Sequence, residues 1–114
     1  MKVFEVYRNG AKVTTAGLDG AGIMSVNVVR GKHSLENFPS DYQDQIRQLG
    51  DVENFEKDHY LLVVEGTLEG VDKNNHLSWF RGHIAVGDEI TVKVVEAEKA
   101  DEAKVGTKAG KSIF

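Results

Sequence analysis

The chain has no cysteine. Disulfide frameworks, thiolate metal sites and cysteine nucleophiles are thereby excluded, since each needs the sulfur. No apolar run approaches the roughly 20 residues of a membrane-spanning helix. The opening MKVFEVYRNG alternates apolar and polar residues instead of forming the apolar core of a secretory leader, so a cytoplasmic location is expected. Basic residues are not in excess: 14 Lys and Arg against 18 Asp and Glu leave a net charge of −4. That balance argues against nonspecific binding to nucleic acid or to an anionic membrane, both of which favour basic surfaces. Proline occurs once and glycine 12 times, which suits tight turns between strands.

What is present is an ordinary globular balance, 40% hydrophobic and 28% charged over 114 residues. It excludes wholesale disorder, collagen-like chains and coiled coils, and it suits one domain. Lys2 to Arg8 and Ala11 to Ala16 flank Asn9-Gly10, the strongest short hairpin signal. A two-residue turn pairs Arg8 with Ala11, Val6 with Val13 and Phe4 with Thr15. Phe4, Val6 and Val13 then share a core face. Ile23 to Arg30, Tyr60 to Glu69, His76 to Arg81 and Glu89 to Glu96 read as further strands, the last with Ile90, Val92 and Val94 inward. Apolar parity changes between Leu77, Trp79 and Ile84, Val86, which predicts a bulge or bend at Arg81-Gly82. Gly70 to Asn75 has turn chemistry.

One helix is expected over about 41–49, packed on a sheet. Ser40 and Gln43 have capping-box spacing, Tyr42, Ile46 and Leu49 form an apolar stripe, and Gly50 stands where a helix-ending glycine would. From Ala97 the chain is rich in Lys, Glu, Ala and Gly. This predicts a globular domain over 1–97 and a mobile tail over 98–114. The expected fold class is α+β, mostly antiparallel: a small sandwich or barrel-like sheet of about six strands with one inserted helix.

Chemistry-bearing motifs are sparse. Gly17, Gly20 and Gly22 precede a strand, not the helix that a phosphate loop needs. No HExxH, HxH or GxSxG spacing occurs, and His33, His59, His76 and His83 are scattered. No cofactor or metal is expected, and the chain is read as non-catalytic. The most unusual segment is His76-Leu77-Ser78-Trp79-Phe80-Arg81-Gly82-His83, which holds the sole tryptophan beside Phe80 and Arg81. Trp and Arg are favoured interface anchors, so Trp79, Phe80, Arg81, His76 and His83 form the first candidate binding face. Tyr7 and Lys12 form a second.

The stretch Val86-Gly87-Asp88-Glu89-Ile90-Thr91-Val92-Lys93-Val94 resembles the strand entry of S1-type OB folds and other small β-barrels. With the Asn-Gly hairpin, the segment from His76 to Glu102 is also similar to short bacterial all-β or α+β proteins. The OB resemblance implies single-stranded nucleic-acid binding, with Trp79, Phe80 and Arg81 as a stacking platform. The residues themselves favour a module that recognises a protein partner, a second copy included, through a sheet edge or the Trp79-Phe80-Arg81 strand. A small metal-dependent enzyme using His76 and His83 is the third expectation.

Overall fold

Asn9 and Gly10 both take positive φ, 51° and 84°, in the computed structural model. That is the backbone of the expected type I′ turn, and glycine adopts it without a Cβ penalty. The turn joins β1 (Lys2–Arg8) to β2 (Ala11–Gly17), and Arg8 pairs with Ala11 as expected. Beyond the turn the register differs: Val6 faces Thr14 and Phe4 faces Ala16, not Val13 and Thr15. Val13 is the extra residue of a bulge, so it and Val6 both pack in the core despite the slip.

The structure describes residues 1–70 and 75–106. These hold two antiparallel sheets. β1 lies between β2 and β6 (Ile90–Glu96). The second sheet has the order β3 (Gly22–Gly31), β4 (His59–Leu68), β5 (His76–Ile84), β7 (Lys104–Gly106). The inner faces meet over Val6, Ala16, Leu62 and Val64, all fully buried. Burial of the Val6, Leu62 and Val64 side chains contributes roughly 1.5–3 kcal/mol each. The result is an α+β, sheet-dominated sandwich, not a closed barrel. Residues 71–74, most of the expected turn after Gly70, and residues 107–114 lie outside the described residues.

The bulge in β5 falls at Trp79 and not at Arg81-Gly82. Val64 pairs with Phe80 and Glu65 with Ser78, which leaves Trp79 as the additional residue. A bulge turns two consecutive side chains to one side, so Trp79 and Phe80 both pack against the core. The sheet makes room for them at glycines. A Cβ on Gly66 would lie 3.1 Å from the Trp79 ring, and one on Gly82 would lie 2.9 Å from the Phe80 ring.

The helical segment comprises a 3-10 turn (Leu35–Asn37), α1 (Ser40–Gln48) and α2 (Val52–Glu56). Pro39, not Ser40, is the cap residue of α1, and no side chain caps it. The proline's extended backbone turns the chain one residue earlier than the capping-box spacing implied. Gln43 instead donates its side-chain amide to the Phe38 carbonyl at 2.7 Å. Gly50, with φ 72°, follows the C-cap Leu49 as expected. α1 has no buried residue and packs against α2, not flat on a sheet. Leu49 is 77% exposed. The segment is held by a ring cluster of His33, Phe38, Tyr42, Phe55 and His59, with centroids 5.1–6.4 Å apart. Among the described residues no helix is long and apolar enough to cross a membrane.

Residues 97–106 form a strap across the sandwich, although composition placed 98–114 in a tail. Ala97 donates its amide to the Met1 carbonyl, and the Asp101 amide donates to the Thr15 carbonyl at 2.8 Å. The Asp101 carboxylate accepts from the Thr15 amide at 2.9 Å and the Thr14 hydroxyl at 3.0 Å. The Trp79 indole N–H donates to the Asp101 carbonyl at 3.1 Å. β7 then pairs with β5. Composition missed this because the strap is held by main-chain and carboxylate bonds, not by apolar anchors.

Candidate functional site

The first candidate face is divided by the fold. Trp79 and Phe80 belong to the core. Alternation from the β4 register puts Arg81 and His83 on the outer face of the second sheet, opposite Val63 and Leu61. His76, opposite Thr67, shares that face because of the Trp79 bulge. His76 and His83 are nevertheless seven residues apart along β5, roughly 20 Å. They do not converge, and among the described residues no three His, Asp or Glu side chains form a metal-binding group.

His76 instead hydrogen-bonds to Glu65, its Nε2 2.8 Å from Oε1, with both side chains about one-fifth exposed. Ser25, opposite Glu65 on β3, accepts a hydrogen bond from Asn27 at 3.0 Å. This end of the outer face is thus polar. His83 lies elsewhere, at the rim of an open groove of about 690 Å³ between the helical segment and the start of β4. Ile46, Leu49, Phe55, Tyr60 and Ile84 supply its apolar walls. The stripe at Ile46 and Leu49 was legible in the sequence, but its facing a groove was not.

The structure brings the two residues of the second patch side by side. Tyr7 and Lys12 are cross-strand partners. Both reach Glu5, the Tyr7 hydroxyl at 3.0 Å and the Lys12 ammonium at 3.8 Å. The Lys93 ammonium sits 4.9 Å above the Tyr7 ring. The Glu5 carboxylate that accepts the phenol's hydrogen bond pushes the Tyr7 hydroxyl above its ordinary value of 10.0. The Gly-Asp entry after Val86 has a structural task. Asp88 accepts from the Ala85 amide at 2.7 Å, from Asn9 at 2.9 Å and from Arg8, tying the last turn to the first hairpin. The Ala85 amide bond, above all, holds its carboxyl below the usual value of 3.8.

The edges of the sheets are treated unequally. The outer edge of β2 is occupied by Asp101, and that of β5 by β7. β6 and β3 end their sheets on the side away from this strap, each paired to one neighbour only among the described residues. Val92 and Val94 stand opposite Val6 and Phe4, hence on the inner face, yet they are 42% and 68% exposed. Their expected burial is corrected: on this last strand of the sheet Ile90 packs against the core, whereas Val92 and Val94 stay exposed. Val28, opposite the buried Leu62, is 61% exposed, and Ile23 on the other face is 73% exposed. The sandwich is therefore open and apolar along one long side. Sequence alternation indicates faces but not edges, which is why these residues were not among the candidates.

Comparisons with protein-family models, with curated proteins and with solved structures return no match.

Proposed function

We propose that this chain is a non-catalytic interaction module that recognises a protein partner through its free sheet edges. The observation that carries the reading is the open side: among the described residues β3 and β6 each pair on one side only, and they carry exposed Val28, Val92 and Val94. Strand addition uses such an edge. The main chain supplies hydrogen bonds, and alternate side chains supply selectivity. The Trp79-Phe80-Arg81 strand drops out of the mechanism, because both rings pack on the core and β7 occupies the adjacent edge. A cytoplasmic setting is part of the proposal, in keeping with a chain that has no cysteine for disulfides.

The test is differential capture from nuclease-treated lysate by the wild type, Val28→Lys, Val94→Lys and a Leu49→Lys control at the helix groove. All three sites are more than 60% exposed, so the fold should tolerate them. The reading expects a retained protein lost on an edge lysine but kept by the control. Identical capture by all four chains overturns it.

A further inference from the structure

β3 is the least defended of the sheet edges. Natural edges avoid unwanted pairing with charges, short strands or a covering segment. The outer edge of β2 is covered by Asp101, β7 is three residues long with Lys104, and β6 carries Lys93 and Glu96. β3 is ten residues long and has no charge from Gly22 to Val29, the sequence GIMSVNVV. A long, uncharged edge with exposed Ile23 and Val28 is a pairing template unless a partner is meant to occupy it.

We propose that the partner is a second copy of this chain, with β3 pairing antiparallel to itself about a two-fold axis at Val26. The inference rests on the sheet-edge reading and names its occupant. Such an axis is the isologous arrangement commonest among oligomers. It sets Val26 opposite Val26, Met24 opposite Val28 and Ser25 opposite Asn27 of the partner copy. Ile23 then meets Val29, and Gly22 meets Arg30. From Ile23 to Val29 the pairs match in character: Met24, Val26 and Val28 are apolar against apolar on the inner face, and on the outer face Ile23 meets Val29 and the Ser25 hydroxyl meets the Asn27 amide. No like charges oppose one another, the condition under which cross-strand pairs stabilise a sheet. Arg30 falls against a glycine and keeps its 2.9 Å pairing with Asp58. Moving the axis by one residue to Asn27 would set Ser25 against Val29 and Arg30 against Met24. The strand is therefore self-complementary in one register. The two four-stranded sheets merge into one continuous sheet, and the exposed Val28 is covered by the partner's Met24.

The chain's lack of cysteine makes the test clean. Sedimentation of the full chain should give twice 12.6 kDa, and Val28→Lys should return it to 12.6 kDa with an unchanged circular-dichroism spectrum. Val26→Cys carries the sole thiol to the axis and should cross-link to a covalent dimer on mild oxidation. Arg30→Cys should not, since its two copies lie eight residues apart along the pair, roughly 26 Å, far beyond disulfide reach. A monomer at all concentrations overturns the self-pairing. So does a dimer that survives Val28→Lys and fails to cross-link at residue 26. Neither result touches the broader sheet-edge reading, which falls only when the lysine variants capture the same proteins as the wild type.

Discussion

The strap can be released with one substitution, Asp101→Ala. Its carboxylate serves the Thr14 hydroxyl and the Thr15 amide, and those residues are only 4% and 8% exposed. Truncation leaves both donors short of their acceptor. Hydrogen bonds to a charged group contribute about 1.5–3 kcal/mol each, and Asp101 itself faces water, which weakens the pair toward the lower end. A loss of about 3 kcal/mol follows, or roughly 12 °C in Tm for a chain of this length. Asp101→Asn keeps one acceptor oxygen and should lose about half as much. The assay is built in. The only tryptophan donates its indole N–H to the Asp101 carbonyl, so a loosened strap should shift Trp79 emission to the red before global unfolding. The pH dependence has a fixed sign. The Thr15 amide bond, followed by the Thr14 hydroxyl and the Lys12 charge, holds the Asp101 carboxyl below its ordinary value of 3.8. A depressed carboxyl stabilises the fold above its unfolded pKa, and that contribution fades as pH falls through the lower folded value. The difference between wild type and Asp101→Asn should therefore be full at neutral pH and shrink below about pH 3.8. An Asp101→Ala chain with unchanged Tm and unchanged emission would refute the strap as a structural element.

Gly10→Val should destabilise the first hairpin by about 1–3 kcal/mol, because a β-branched residue resists the φ of 84° held there; a thermal melt measures it. Ser40→Ala should change stability by less than about 0.5 kcal/mol, since Ser40 is not the cap; a loss near 1 kcal/mol in a urea titration would restore the capping box. Lys2, then the N-terminal ammonium, lower the Glu96 carboxyl from 4.5 to about 2. Glu96→Gln should consequently cost stability at neutral pH. The difference from wild type should narrow as pH drops from about 4.5 toward 2, as acid-unfolding curves would show.

Local chemistry was legible in the sequence wherever a few neighbouring residues decide the outcome. Asn9-Gly10 alone specifies a type I′ turn, Gly50 ends α1, and period-two alternation marks β1, β3, β4 and β6. The absence of cysteine and of long apolar runs likewise limited the chemistry without reference to shape. Tertiary structure decided which strands lie at edges and which segments cover them. Alternation showed that Val92 and Val94 share a face with Ile90, but only sheet order left them at an edge, 42% and 68% exposed. Adjacent residues of a regular strand face opposite sides, but a bulge set by pairing with β4 turned both Trp79 and Phe80 inward. Composition read the segment after Ala97 as unanchored, because the bonds that hold Asp101 come from Thr14 and Thr15, more than 80 residues earlier in the chain. Side-chain period is a property of one strand, whereas edges, bulges and straps are properties of pairs of strands distant in sequence. The edges of β3 and β6, on which the proposed function rests, belong to the second kind.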